Sequence, residues 1–204
     1  MSESGRLFVI SGPSGVGKST VIAGVMAEYP NLHFSVSATT RPIRPGEVDG
    51  KNYFFVSHER FAEMLKKDEL LEHVEYVSNS YGTPEAPLQA SLDAGRDILL
   101  DIEPVGALHV RKKRPDATLI FLAPPSLQTL RERLNGRCDT APELIESRLE
   151  RARWELLQAE KYDYIVVNDE VPHAVGEILA ILRGEPAAEN CRAALRSHIL
   201  KEEL

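Results

Sequence analysis

The sequence predicts an α/β domain with a mainly parallel sheet flanked by helices. Short apolar runs, typical of buried strands, alternate along the chain with helical patterns. Polar or glycine residues follow each predicted strand, and ligands bind parallel sheets beyond the carboxyl ends of the strands. We therefore expect a binding site at that edge of the sheet. The predicted strands are residues 6–10, 98–100, 118–122 and 164–167.

The first strand, residues 6–10, ends at a Ser-Gly-Pro turn. The stretch after the turn has apolar residues four apart at Val21 and Val25, which predicts a helix, and it ends before Pro30. A strand, a glycine loop and a helix therefore open the chain.

Residues 36–83 have a different pattern and predict a small inserted lobe. Weakly alternating residues precede a segment of proline, glycine and charge, and a short amphipathic helix is expected around Phe61, Met64 and Leu65. Residues 126–154 are rich in arginine and carry one apolar helix face. The predicted organisation is a core of residues 1–35, 84–125 and 155–184, the lobe 36–83, a mobile lid 126–154 and a tail 185–204 with a terminal helix.

Composition excludes several classes of protein. Apolar residues make up 43% and charged residues 27% of 204, which is typical of a globular chain and not of a disordered one. Lysine and arginine number 24 against 31 acidic residues, so the charge is −7 and the pI is about 5.4, which disfavours general binding to nucleic acid or anionic membrane.

Cysteine usage and the start of the chain bear on location. Cys138 and Cys191 form neither a disulfide framework nor a metal-binding spacing, and they suit a reducing compartment. We recognise no secretory signal and no apolar run long enough to span a bilayer. The expectation is a cytoplasmic protein that binds no nucleic acid and no membrane.

Residues 12–19 fit the pattern Gly-x-x-x-x-Gly-Lys-Ser/Thr of phosphate-binding loops. The glycines let backbone N–H groups surround phosphate oxygens, Lys18 would reach the β- and γ-phosphates, and Ser19 would offer its hydroxyl to Mg²⁺. A glycine turn with an exposed lysine is the alternative, but the strand before the motif and the helix after it favour the phosphate loop. The predicted ATP-binding residues here are Gly12, Pro13, Ser14, Gly15, Val16, Gly17, Lys18, Ser19 and Thr20.

This loop by itself is compatible with GTPases, motor ATPases and small-molecule kinases. The chain has no Asn-Lys-x-Asp motif of the G-protein type. The inserted lobe and the arginine-rich segment favour a kinase that closes over two phosphorylated ligands.

A second motif lies in the inserted lobe. Arg41 and Arg44 are three residues apart, and neighbouring prolines restrict the backbone that carries them. Two guanidinium groups can bind one phosphate dianion bidentately, and Tyr53 and Tyr81 could add hydroxyl donors.

With these residues the sequence resembles the guanylate kinase family, from about residue 7 to residue 184. The resemblance implies a P-loop kinase fold and the reaction ATP + GMP ⇌ ADP + GDP, with Mg²⁺ as cofactor and dGMP as a second acceptor. The segments that carry it, in the family's order, are SGPSGVGKST, SVSATTRPIRPGEVDGKNYFFV, ELLEHVEYVSNSYGT, ILLDIE, FLAPPS, RLNGR and IVVND.

The resemblance also implies residue roles. For the GMP site it implies the phosphate ligands Arg41, Arg44, Tyr53 and Tyr81, the guanine-side residues Ser37, Glu72, Thr83 and Glu103, and in addition Gly82 and Asp101. For catalysis and ATP it implies Lys18, the lid arginines Arg133, Arg137 and Arg148, Asn168 near adenine, and Ser19 and Asp101 near the metal, through water.

Glu72 fits its implied role chemically. Guanine presents two adjacent donors, N1–H and the 2-amino group, and one carboxylate can accept both. Adenine has an acceptor at N1 and would leave a carboxylate oxygen facing a lone pair, which a buried site rejects strongly. Without the resemblance, Glu72 is an ordinary solvated carboxylate of a helix or strand.

The arginines of the lid also have a structural interpretation, as surface ion pairs along helices. We predict function for Arg133, Arg137 and Arg148, because phosphoryl transfer requires positive charge that arrives with closure. For Arg131, Arg151 and Arg153 we predict surface pairing.

Two positions depart from the family pattern. Val105 stands where a glutamine usually precedes the glycine, so a polar contact from that position is in doubt. Cys138 stands where glycine commonly follows a lid arginine, and its side chain would restrict the lid.

Two other classes stay open. Guanylate kinase-like domains also occur as non-catalytic binding modules, and a P-loop kinase could act on a different acceptor. The sequence does not decide between a monomer and a homo-oligomer.

Overall fold

The computed structural model describes residues 4–76, 78–135 and 142–185. Within these ranges the strands are β1 (Leu7–Ser11), β2 (Leu32–Phe34), β3 (Ala38–Thr39), β4 (Phe54–Phe55), β5 (Leu70–Tyr76), β6 (Asn79–Pro84), β7 (Asp97–Asp101), β8 (Thr118–Ala123) and β9 (Tyr164–Val167). The helices are α1 (Lys18–Glu28), α2 (His58–Lys66), α3 (Glu85–Asp93), α4 (Pro104–Lys113), α5 (Leu127–Asn135), α6 (Pro142–Gln158) and α7 (Val171–Arg183), with a 3₁₀ turn at Ala159–Lys161.

The larger sheet has the strand order β2-β7-β1-β8-β9 and is mainly parallel, which confirms the predicted fold class. In its register Leu32 lies opposite Asp97, and Ile120 lies opposite Tyr164. All five residues of β1 are buried, as expected for a parallel strand covered on both faces.

Four strands of this sheet match the predicted ones, but the sequence analysis missed β2. That strand is three residues long, and two of its side chains, His33 and Phe34, are exposed. It therefore has no continuous apolar run, and its place in the sheet comes from backbone pairing with β7.

The smaller sheet has the order β4-β3-β6-β5, with β3 and β4 parallel and the other pairs antiparallel. It lies within the segment that was predicted as a lobe with short strands. The ambiguous stretch around Glu72 is a strand, β5, and the turn after it passes through Ser78, which has a positive φ of 62°.

The chain divides into two compact units. Unit 1 comprises Met1–Phe8, Asn31–Leu100 and Val105–Ala117. Inside it, the amphipathic helix α2 packs Phe61 and Met64 against Ala38 and Leu70 of the smaller sheet.

Unit 2 comprises Val9–Pro30, Asp101–Pro104 and Thr118–Leu204. One of its apolar clusters joins α5 to α6, through Leu130, Leu134 and the buried face of α6. The predicted apolar face of α6 is confirmed, since Ile145, Leu149, Ala152 and Leu156 are all buried. On the same helix Trp154 is 44% exposed.

None of the helices in the described ranges is both long and apolar enough to cross a bilayer. Helix α7 ends at Gly184, which adopts the left-handed conformation common after a helix. The terminal helix predicted for the tail lies outside the described residues. The division into core, lobe and lid stays a prediction.

Candidate active site

The predicted phosphate loop, residues 12–19, lies between β1 and α1 in unit 2. Gly17 is the N-cap residue of α1 with φ of 97°, and a Cβ atom there would lie 2.7 Å from the Asn168 amide nitrogen. A Cβ atom on Gly12 would lie 2.3 Å from the Leu122 carbonyl oxygen. Glycine is therefore required at both positions by backbone conformation or by close packing.

The start of α1 is the polar part of this loop. Lys18 Nζ donates to the Gly12 carbonyl oxygen at 2.8 Å, so the lysine folds back over the loop. Ser14, Ser19 and Thr20 are exposed, whereas Pro13 and Val16 are buried beneath them. The first N–H groups of a helix have no partner within it, so the N-terminus of α1 can bind an anion.

Two side chains donate hydrogen bonds to one backbone carbonyl oxygen of the loop. The Asn168 amide nitrogen donates to the Val16 carbonyl oxygen at 2.7 Å, and Arg133 Nη1 donates to the same oxygen at 3.2 Å. Arg133 Nη2 also donates to the Asn168 carbonyl oxygen at 3.0 Å. Arg133 therefore adjoins the phosphate loop in this structure.

Asn168 is buried, with only 2% of the residue exposed. Its amide supports the Val16 peptide, which a short amide side chain can do because it donates without carrying charge. Its position near adenine stays a prediction.

Asp101 ends β7 and belongs to unit 2 with Lys18. Although the residue is exposed, protein atoms around its carboxyl raise its pKa, and the positive charge of Lys18 opposes that shift. Asp101 and Lys18 thus interact electrostatically.

The described residues contain no group of three or more metal-ligating His, Cys, Asp or Glu side chains. Unit 2 offers the Ser19 hydroxyl and the Asp101 carboxylate, which are hard oxygen donors. Mg²⁺ keeps several waters and binds through few protein groups together with substrate phosphates, so this small donor set fits it.

In unit 1, three of the four predicted phosphate ligands come together. The Arg41 guanidinium lies over the ring of Tyr53, 5.5 Å from its centroid, and the rings of Tyr53 and Tyr81 are 6.0 Å apart. Tyr81 also interacts with Arg41 and contributes to raising the pKa of that arginine, after the larger effect of Glu47. The register of β3 opposite β6 brings Thr39 next to Tyr81, which places this cluster.

Arg44, the fourth predicted phosphate ligand, has an exposed side chain, and its charge helps to lower the pKa of Glu47 after the larger effect of Arg41. Its backbone N–H donates to Glu47 at 2.8 Å. Glu47 itself was not predicted as a site residue, although it lies six residues after Arg41 and three after Arg44 in the same motif.

The predicted guanine reader is a buried carboxylate in unit 1. Glu72, on β5, is only 5% exposed, and the Thr83 hydroxyl of β6 donates to its Oε1 at 2.7 Å. Burial raises the pKa of Glu72, and the hydrogen bonds from Thr83 oppose that shift. One carboxylate oxygen is thus fixed by the protein, which orients the second one.

Of the other predicted residues of this region, Gly82 lies beside Glu72. It faces β5, where a Cβ atom would lie 2.9 Å from the Glu72 carbonyl oxygen. Ser37 is half-buried just before β3, and its carbonyl oxygen accepts from the Phe54 N–H at 2.8 Å.

The lid arginines are placed in part. Arg148 lies half-buried on α6. Arg137 and Cys138 lie outside the described residues.

Val105, in the first turn of α4, is 40% exposed, and Pro104 before it starts the helix, where its missing N–H has no cost.

Arg151 has more partners than surface pairing suggests. It donates to Glu103 at 2.6 Å and to Glu155 at 3.1 Å. Glu155 is buried, and burial raises its pKa while Arg151 opposes that shift. The i, i+4 spacing of Arg151 and Glu155 is visible in the sequence, but the burial of Glu155 and the link to Glu103 are not.

Arg131 behaves as predicted. It pairs with Glu146 at 2.5 Å, and both side chains are substantially exposed. Glu103, which was predicted on the guanine side, is here engaged by Arg151.

A family model described as "Guanylate kinase" matches residues 4–185 of the chain. A guanylate kinase of Thermus thermophilus is 52% identical over 181 residues, which are 89% of this chain and 82% of the relative. A guanylate kinase of Streptococcus thermophilus is 51% identical over 186 residues, 91% of this chain and 89% of the relative.

A solved structure gives the same result. The crystal structure of guanylate kinase from Anaplasma phagocytophilum is similar with a TM-score of 0.69 and 34% identity. The similarity covers 95% of this chain and 90% of that one.

Proposed function

The chain belongs to the guanylate kinase family and is an ATP:GMP phosphotransferase, and from this premise we propose which of its residues bind each substrate. Unit 2 binds the ATP phosphates through residues 12–20, and unit 1 binds GMP through the smaller sheet. The family gives the reaction, while the geometry of each unit supports the residue roles.

The observation that carries the GMP assignment is the buried Glu72 carboxylate with Thr83 on one oxygen. An ionised carboxylate has about four acceptor sites on its two oxygens, so Glu72 can accept the two adjacent donors of guanine in addition to the Thr83 hydroxyl. Burial makes the discrimination strong, because a nucleobase without those donors leaves a desolvated charge unpaired.

The GMP phosphate is bound in the same unit by Arg41, Arg44, Tyr53 and Tyr81 in our proposal. Arg41, Tyr53 and Tyr81 already form one cluster, so the site is largely assembled before the substrate binds. Preorganised donors lose little conformational entropy on binding, which strengthens recognition of the dianion.

On the ATP side, the loop amides and Lys18 hold the β- and γ-phosphates. The hydrogen bond from Lys18 to Gly12 is exchanged for bonds to phosphate oxygens. Arg133, which already contacts the loop, and the lid residues Arg137 and Arg148 stabilise charge on the transferring group.

The transfer needs no dedicated general base. An oxygen of the GMP phosphate is already an anionic nucleophile, so the γ-phosphoryl bond to the ADP oxygen breaks as the bond to GMP forms. The protein contributes positioning and charge stabilisation, and excludes water that would otherwise hydrolyse ATP.

Mg²⁺ would be held by Ser19 and Asp101, in part through water, and when bound it neutralises phosphate charge. We further propose dGMP as a second acceptor, since none of the assigned contacts requires the 2′-hydroxyl. A cytoplasmic location follows from the two substrates, which are intracellular nucleotides.

The two other classes that the sequence left open predict different activities. A binding module would bind GMP without transfer, and a kinase for another acceptor would use other phosphate acceptors equally well. Lys18, Ser19, Arg41, Arg44 and Glu72 are all present, which favours catalysis on GMP.

The test is ADP formation from ATP and Mg²⁺ with GMP, AMP, CMP or UMP offered separately. We expect ADP with GMP and little with the others. Folded protein that binds GMP but forms no ADP would support the binding module, and equal rates with several acceptors would remove Glu72 as guanine reader.

A further inference from the structure

We propose that Glu47 is a positioning residue for GMP: its carboxylate holds the Arg41 guanidinium so that the remaining donor edge of that arginine meets the phosphate. The inference rests on the proposed function, in which Arg41 contacts the GMP phosphate. Glu47 has no role among those that the motifs and the family resemblance imply.

The geometry of the pair is bidentate. Arg41 Nη2 donates to Glu47 Oε1 at 2.7 Å, and Nη1 donates to Oε2 at 3.0 Å. The Arg44 backbone N–H donates to the same Oε2 at 2.8 Å. One carboxylate therefore fixes the side chain of one predicted phosphate ligand and the backbone of another.

A count of donors shows what is left for a ligand. A guanidinium has five N–H groups, and Nη1 uses both of its own, on Glu47 and on the Pro42 carbonyl oxygen at 2.7 Å. Nη2 uses one on Glu47. The second Nη2 hydrogen and the Nε hydrogen lie on one edge, and such an edge binds phosphate bidentately. Tyr81 is hydrogen-bonded to the same guanidinium, so a phosphate on this edge would share or replace that contact.

The surroundings explain why this arginine needs a permanent partner. The Arg41 side chain is only 10% exposed and lies against both Tyr53 and Phe55, whose ring centroids are 5.5 and 5.6 Å from its Cζ atom. A guanidinium so far from water is costly without an anion beside it. Hydrogen bonds from Arg41 lower the pKa of Glu47, so the carboxylate is ionised at neutral pH.

A different role for the same contact can be tested against this one. Glu47 could occupy the place of the GMP phosphate and leave when the substrate arrives. The bond from the Arg44 backbone argues for a permanent position, because it ties the carboxylate to its own turn independently of Arg41.

The experiment measures the affinities of GMP and guanosine by calorimetry, and the KM values for GMP and ATP, in wild type, Glu47→Gln and Glu47→Asp. We expect Glu47→Gln to weaken GMP binding about tenfold. Guanosine binding and the KM for ATP should not change, because neither involves the GMP phosphate. Glu47→Asp should recover part of the GMP affinity.

Glu69→Gln is the matched control, because Glu69 pairs with Arg60 at 2.6 Å in the same unit outside the assigned site. It should leave GMP affinity unchanged. Circular dichroism of each variant checks that unit 1 is folded. If Glu47→Gln binds GMP as tightly as wild type, or more tightly, Glu47 is no positioning residue, and the tighter result assigns it the phosphate-mimicking role.

Arg41→Gln distinguishes a failure of the proposed phosphate-binding role of Arg41 from a failure of the Glu47 inference alone. It should reduce the preference for GMP over guanosine at least as much as Glu47→Gln does, while Arg44, Tyr53 and Tyr81 retain part of it. If the preference is unchanged in Arg41→Gln, the proposed role of Arg41 is wrong and the Glu47 inference fails with it. If the preference is reduced in Arg41→Gln but unchanged in Glu47→Gln, only the Glu47 inference fails.

Discussion

Single residues in this chain carry charge in places where water is largely excluded. Glu72 and Glu155 are each buried carboxylates with raised pKa, and each is held by one hydrogen-bonding neighbour, Thr83 and Arg151 respectively. A buried charge costs stability, so its retention in a small protein points to a function or to a required partner.

Lys18→Met removes the charge that folds over the phosphate loop. We expect kcat to fall by about 10²–10³-fold, because one preorganised donor to the transferring phosphate is lost. The fold should persist, since the lysine side chain is half-buried and methionine matches its length. Lys112→Met, an exposed lysine of α4, is the control and should keep wild-type kcat.

Glu72→Gln should change the dependence of stability on pH. A carboxylate with a raised pKa in the folded state stabilises the fold at low pH, and that contribution is lost as pH rises through the folded pKa. The variant should therefore gain stability relative to wild type between pH 4.5, the ordinary value, and neutral pH.

Denaturant unfolding of both proteins across that range measures the effect. Glu75→Gln, on the same strand but exposed, should show a smaller change. A stability difference between Glu72→Gln and wild type that does not vary with pH would contradict the burial effect.

In the same variant the KM for GMP should rise more than the KM for ATP.

At the scale of elements, α6 is joined to the segment after β7 by charge. Arg151 links Glu103 to the buried Glu155, and Arg148 lies one turn earlier on the same helix. Helix α6 therefore carries the predicted catalytic residue Arg148 one turn away from Arg151, whose ion pair with Glu103 links the helix to the segment after β7.

Arg151→Gln should lower the free energy of unfolding by about 1–2 kcal/mol, because the buried Glu155 charge loses its hydrogen-bonding partner. Half of the Arg151 side chain is exposed, which keeps the loss at the low end. Arg131→Gln breaks only an exposed pair and should cost less than about 1 kcal/mol.

The double variant Arg151→Gln/Glu155→Gln tests the cause. It should regain part of the stability lost in the single variant, because the unpaired buried charge is gone. Denaturant midpoints measure all three. If the double variant were less stable than Arg151→Gln, loss of packing and not an unpaired charge would explain the effect.

For the whole molecule, the two units should respond to different ligands. A nonhydrolysable ATP analogue should slow hydrogen exchange at residues 12–20 of unit 2, and GMP should slow it at residues 37–83 of unit 1. Exchange followed by mass spectrometry, with each ligand alone, measures this. Protection of residues 12–20 by GMP alone would contradict the assignment of sites to units.

Much of this architecture could be predicted because local patterns determine it. The strand, glycine loop and helix at residues 6–28 have a sequence signature that no tertiary contact has to override. Strand β2 could not be predicted, because its pairing with β7 and not its own pattern places it in the sheet.

The candidate site could likewise be predicted from the sequence only in part. Motif spacing predicted the phosphate loop and the resemblance predicted the GMP residues, but neither predicted which side chains hydrogen-bond to them. The contact of Glu47 with Arg41 and the contact of the buried Asn168 with Val16 depend on tertiary structure. Contacts of this kind leave no repeating pattern in the sequence from which they could be predicted.

Trp154 has a practical consequence. It is the only tryptophan in the chain, and it stands 44% exposed on α6, next to Glu155 and one turn from Arg151. Indole emission from the unlabelled protein therefore reports the surroundings of this one helix and nothing else. Nucleotide binding can be timed by stopped-flow fluorescence, with the protein supplying its own optical probe on the helix that carries Arg148.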